Sequence, residues 1–203
     1  MEEYRRVPPR VPETEHTITM SSTRPTFFVL SGGPCSGKTT AVRELERRGQ
    51  HVVHEAATEI IEDPRTSQLR HDDPVEFQRL VLEHQLAKEA RALESEAPGG
   101  HVFLDRGVAD GFAYLRYNGH EFFTEIVDAW ELVAPRYRAI LLLEQNPEYE
   151  EASHRAESAE SARELANTIR EEYESRHSVV ITIPWGPVEE RVDLILTEAQ
   201  RLA

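Results

Sequence analysis

The feature that most restricts this chain lies between residues 27 and 49. There the apolar run Phe27-Phe28-Val29-Leu30 leads through Gly32-Gly33-Pro34-Cys35-Ser36-Gly37-Lys38-Thr39 into a helical stretch that Gly49 stops. A run apolar at every position suits a strand covered on both faces, and such strands belong to parallel sheets with helices on either side. The glycines let the backbone turn tightly enough to aim successive N–H groups at one point, and the following helix directs the positive end of its dipole there. In that context the pattern G-x-x-x-x-G-K-[ST] is a phosphate-binding loop. Lys38 is expected to reach the outer phosphates of a nucleoside triphosphate, ATP or GTP, and the Thr39 hydroxyl to ligate Mg2+. Thr40 is a secondary phosphate contact. Cys35 is either a small residue at a variable position or a thiol made more acidic by the helix terminus.

Similar runs recur at His51-Val52-Val53-His54, His101-Val102-Phe103-Leu104, Ala139-Ile140-Leu141-Leu142-Leu143 and Val179-Val180-Ile181-Thr182-Ile183, with helical stretches between them. This alternation predicts an α/β fold, a parallel sheet with helices on both faces. Asp73-Pro74-Val75-Glu76 signals the start of a long helix, with Phe77, Leu80, Val81, His84 and Lys88 expected on one face. The last helix places Val188, Val192, Ile195, Ala199 and Leu202 on one apolar stripe. Residues 1 to 25 hold Pro8, Pro9, Pro12 and Pro25 without an apolar period and read as a flexible leader to a single domain spanning 26 to 203.

The formal charge of -14 predicts an acidic surface that repels nucleic acid and anionic membranes. No run approaches the ~20 apolar residues of a membrane span, and the first 25 residues are too polar for a secretory signal, so a cytoplasmic location is expected. One cysteine leaves no disulfide framework and no Cys-rich zinc site. Of the 23 basic residues only Lys38 and Lys88 are lysines, a bias that either a GC-rich genome or a salty cytoplasm would produce. A lysine kept in the phosphate loop of such a chain suits a compact ammonium that arginine could not replace without crowding.

Ligands of open parallel sheets bind beyond the carboxyl ends of the strands, which singles out Glu55 and Asp105. Asp105 is placed to hold Mg2+, directly or through water, or else to pair with a nearby arginine. Arg106 adds a guanidinium suited to phosphate. Glu55 either takes the proton of an acceptor hydroxyl as general base or caps the helix that begins at Ala56. His51 and His54 should point to opposite faces of a strand, so they make no metal pair, and His84 reads as a packed or half-exposed helical histidine.

The loop, His54-Glu55-Ala56-Ala57, Leu104-Asp105-Arg106-Gly107-Val108-Ala109-Asp110 with Tyr114, then Arg155, Tyr173 and Ile183-Pro184-Trp185-Gly186-Pro187-Val188-Glu189-Glu190-Arg191-Val192 together resemble a known family. It is that of the small AAA-type P-loop domains related to nicotinamide-riboside kinase, and the resemblance runs from about Thr26 to Ala203. It implies a three-layer P-loop kinase-like fold with a five-stranded parallel sheet, a mobile lid, and an acceptor pocket near Glu55, Asp105, Arg106 and Asp110. The nucleotide base would lie beside the turn from Pro184 to Val188. The lid is expected in Glu144 to Arg155. Arg155 and Arg163 would close over the phosphates, unless Arg155 sits in a surface ion pair among Glu148, Glu150, Glu151 and Glu157. Acceptor specificity is expected from Asp63 to His71 with Asp110, Tyr114 and Tyr117.

These residues point to Mg2+-dependent transfer of a phosphoryl group from ATP or GTP to a hydroxyl of a small molecule, with nucleosides and ribosides among the candidates. The alternative is a regulatory ATPase or GTPase module that switches a protein partner. Neither lysine sits in the Asn-Lys-x-Asp motif of a Ras-type switch, and an oligomeric AAA machine would call for a further helical domain. Nothing in the pattern speaks for a particular oligomeric state.

Overall fold

The computed structural model describes residues 25–94, 100–147 and 159–202. The leader up to residue 24, Arg155 and most of the expected lid lie outside the described residues. The elements are β1 (Thr26–Ser31), α1 (Lys38–Arg47), β2 (His51–Val53), α2 (Ala56–Glu62), α3 (Leu69–Asp72), α4 (Pro74–Leu93), β3 (His101–Asp105), α5 (Val108–Tyr117), α6 (Thr124–Val133), a 3-10 turn (Ala134–Arg136), β4 (Tyr137–Leu143), α7 (Ala159–Arg176), β5 (Val180–Ile183) and α8 (Val188–Leu202). No helix among the described residues is long and apolar enough to cross a membrane.

The five strands form one parallel sheet in the order β2-β3-β1-β4-β5. The inner strands send alternate residues to two different cores, which is why their sequences are apolar throughout. Phe27, Val29, Val102, Leu104, Ile140 and Leu142 pack with residues of α4, α5, α6 and α7. Phe28, Leu30, Phe103, Ala139 and Leu141 pack with α1 and α8. The result is the expected three-layer arrangement, and the α8 stripe of Val192, Ile195 and Ala199 is buried in the second core.

Gly49 ends α1 with a φ of +76°, and Asp73 caps α4 by accepting from the Glu76 N–H at 3.0 Å. The face that α4 buries differs from the expected one. It runs through Gln78, Leu82, Gln85, Glu89 and Ala92, joined by Phe77, whereas His84 is exposed and lies 3.6 Å from Glu59. Three of those five positions are polar, so a search for apolar periodicity selects the neighbouring stripe. The second strand also stops one residue short of His54, whose ring turns outward to Glu46 at 2.6 Å.

Candidate active site

β1 and β3 are neighbours with Leu30 in register with Asp105, so the phosphate loop and the Asp105-Arg106 segment leave the sheet side by side. The Arg106 N–H donates to the Leu30 carbonyl at 2.9 Å and ties the two exits together. The loop itself is pressed from two sides. A Cβ on Gly32, whose φ is +142°, would fall 2.5 Å from the Leu143 carbonyl oxygen, and one on Gly33 would fall 2.5 Å from Ala166 Cβ on α7. Side chains brace it further. Arg191 of α8 is buried and donates to the carbonyls of Ser36 at 2.6 Å and Glu144 at 3.3 Å, while Gln145 Nε2 donates to Pro34 O at 2.8 Å and Ala162 O at 3.0 Å.

Lys38 Nζ donates to Gly32 O at 2.6 Å, Gly33 O at 3.0 Å and Ser36 Oγ at 3.2 Å. Burial, reinforced by the Arg106 charge, lowers its pKa to about 7 against the pull of Asp110, Asp105 and Glu55. Thr39 and Thr40 are exposed at the start of α1. A cavity of about 330 Å³ extends over loop residues 34–40 and is bounded by Glu55, Asp105, Arg106, Asn146 and Trp185.

Asp105 is 7% exposed, and its Oδ1 is buried with no hydrogen-bond partner among the described residues. Burial, followed by the Glu55 charge, raises its pKa to about 6, with Arg106 and Lys38 opposing. The adjacent guanidinium pairs elsewhere, so an ion pair does not account for this carboxylate. An orphaned carboxylate oxygen and an exposed hydroxyl on one cavity suit a hard cation such as Mg2+, which takes few protein ligands and completes its shell with phosphate oxygens and water. Among the described residues no group of three or more His, Cys, Asp or Glu could hold a metal ion by itself.

Arg106 adopts a left-handed φ of +72°, a conformation that costs a residue with a Cβ roughly 1–3 kcal/mol and is kept only where the surroundings enforce it. Its Nε lies 2.6 Å from Glu55 Oε1 and its Nη1 2.6 Å from Asp110 Oδ1. Burial opposes the charge, but Tyr114, Glu55 and Asp110 together hold the guanidinium well above its ordinary pKa. Asp110 also accepts from Ser31 Oγ at 2.7 Å, the Gly107 N–H at 3.2 Å and Tyr173 Oη at 2.7 Å. Glu55 occupies the N-cap position of α2, yet its side chain makes no cap hydrogen bond and reaches Arg106 instead.

On the far side of Glu55 and Arg106 lies a second cavity of about 330 Å³, reached also by Asp110, Tyr114 and Tyr117. Phe77, Leu82, Leu115 and Ile126 give it apolar walls. Gln78 lines it too. This side chain is 9% exposed and makes no hydrogen bond among the described residues. Of residues 63–71, Arg70 and His71 reach the cavity, whereas Asp63 and Arg65 pair with each other at 2.6 Å. Arg163 is exposed on α7 and lines neither cavity, so it is not gathered with Lys38, Glu55, Asp105 and Arg106. Gln78, Gln85, Glu89 and the bracing role of Arg191 escaped the sequence reading. A polar side chain recurring at helical spacing beside Leu82 and Ala92 was the available signal for the first three.

A family model described as an AAA domain matches residues 27–191. The structure is similar to deoxyadenosine kinase from M. mycoides with bound dATP, with a TM-score of 0.61 and 14% identity over 86% of this chain and 99% of that one. Thymidylate kinase from Ehrlichia chaffeensis gives a TM-score of 0.59 and 15% identity over 87% of this chain and 99% of that one. The NadR protein in complex with NR gives 0.61 and 20% identity over 87% of this chain and 52% of that one. Likeness at these identities establishes the fold. No curated protein matches the sequence.

Proposed function

Since the chain belongs to the AAA domain family and has the fold of P-loop kinases, we propose that it transfers the γ-phosphoryl group of ATP or GTP to a hydroxyl of a small molecule. The observation that carries this reading is that the phosphate-loop cavity and the Gln78 cavity share Glu55 and Arg106 as a common wall. A hydrolase or a switch has no need of a second, largely apolar cavity opening on the same carboxylate.

In this reading the loop N–H groups and Lys38 bind the outer phosphates, and Thr39 and Asp105 would hold Mg2+. When bound, the ion neutralises charge on the β- and γ-phosphates. Arg106 is left to orient Glu55 and to offset charge at the transferring group. Glu55 accepts the proton of the acceptor hydroxyl as its oxygen bonds to the γ-phosphorus and the bond from that phosphorus to the bridging oxygen breaks, releasing the nucleoside diphosphate. The Gln78 carboxamide presents a donor and an acceptor in one plane. It suits a planar hydrogen-bonding edge between apolar walls, as a nucleoside or riboside would supply.

The test is mass spectrometry of nucleosides, ribosides and sugar alcohols incubated with the protein and MgATP or MgGTP. One class of acceptor should gain a phosphoryl group, and Glu55→Gln should slow that step about 10²- to 10⁴-fold. Steady hydrolysis indifferent to every acceptor would sink the proposal in favour of a partner-switching module.

A further inference from the structure

Lys88 is the second of the two lysines in the chain, and it too meets the candidate site. Its side chain is 16% exposed and projects from α4 to the junction of β2 and α2. Nζ donates to His54 O at 3.0 Å and to Glu55 O at 3.3 Å, and it pairs with Glu59 Oε1 at 2.7 Å. Three acceptors thus converge on one nitrogen. An ammonium directs three donors away from a point and can meet all of them, whereas a guanidinium spreads its donors in a plane. The residue type follows from the acceptors, in a chain that otherwise prefers arginine.

The two carbonyls belong to the peptide groups on either side of Glu55. Holding both restricts the backbone dihedrals of Glu55 and so the direction in which its side chain leaves the chain. Glu59, one turn into α2, adds a third anchor on the same ammonium, and that contact leads the causes that lower the Glu59 pKa. We infer that Lys88 is a positioning residue. It clamps the peptides flanking Glu55 and thereby aims that carboxylate at the wall between the two cavities. The inference rests on the reading of Glu55 as general base.

The experiment combines a double-mutant cycle with amide hydrogen exchange on the full chain. Lys88→Met and Lys88→Arg should each lower kcat about 10- to 100-fold while KM for the nucleotide stays within about 2-fold. In a Glu55→Gln background, Lys88→Met should add less than about a further 2-fold, because the residue acts through Glu55. Amides of residues 54–57 should exchange about 10-fold faster in Lys88→Met, with residues 32–39 unchanged. A full-sized loss in the Glu55→Gln background, an undiminished rate in Lys88→Arg, or unaltered exchange at 54–57 would each overturn the inference. If the parent phosphorylates no acceptor, the kinase reading falls, and the exchange measurement alone decides whether Lys88 holds the junction.

Discussion

Arg191 Nη1 lies 2.6 Å from the Ser36 carbonyl oxygen, so a helix near the end of the chain braces the glycine-rich turn before α1. Arg191 is 3% exposed, and truncation to Met would leave that carbonyl without its partner. Arg191→Met should cost about 1–3 kcal/mol in urea unfolding and should weaken Mg-nucleotide binding without altering affinity for the acceptor. Thermal shift with each ligand separately checks the second part.

Gly33→Ala tests the close approach of α7 to the loop. The new methyl would meet Ala166 Cβ at 2.5 Å and Gln145 Nε2 at 2.9 Å, and the Gln145 bridge to Pro34 would have to yield. A stability loss of about 1–3 kcal/mol is expected, together with loss of the thermal stabilisation given by Mg-nucleotide.

Asp105 gives a pH signature. Its folded pKa, about 6, stands above the ordinary value of 3.8, so between these limits the native state binds the proton more tightly than the unfolded state does. Stability from this source is present below pH 4 and is lost as pH rises through 6. Asp105→Asn should therefore raise the melting temperature of the nucleotide-free protein above pH 6, by a free energy on the order of 1–3 kcal/mol, and leave it unchanged near pH 4. The same variant should lose Mg2+-dependent turnover. Lys38, lowered to about 7, acts in the opposite sense, destabilising below 7 and releasing that cost as pH climbs toward 10.5.

Gln78→Leu should separate recognition from chemistry. Loss of the unpartnered carboxamide is expected to raise KM for the acceptor about 10- to 100-fold and to leave KM for the nucleotide within 2-fold. An acceptor affinity indifferent to this change would remove Gln78 from the binding wall.

The phosphate-loop half of the site was legible because its chemistry is local. Gly32 to Thr39 are contiguous, the strand before them is uniformly apolar, and Asp105 falls at a strand end. Of the polar lining of the second cavity, Glu55, Arg106, Asp110, Tyr114, Tyr117, Arg70 and His71 were legible. Gln78 and Gln85, which line it as well, sit on the buried face of α4, where with Glu89 they interrupt the apolar period that marks a core helix. Glu89 is fully buried, with its pKa raised by burial against Gln85 and Tyr137, and its partners come from both its own helix and β4. Such a choice makes sense only once the tertiary neighbours are known. The Glu55 side chain likewise leaves the cap position for Arg106, which lies 51 residues away in the chain.

Asp110 gathers Ser31, Arg106, Gly107 and Tyr173 around one carboxyl group, with Ser31 79 residues before it and Tyr173 63 residues after it. Two large loops must close before the Ser31 and Tyr173 hydrogen bonds can form, and the entropy of closing them is spent before either contact repays it. The helix α1 can take shape early from nearby residues, but the charge network and the braces on the phosphate loop have to wait for distant segments. A chain interrupted during folding would therefore carry the first helix while the turn before it lacked its braces and the charge network beside it was still unmade.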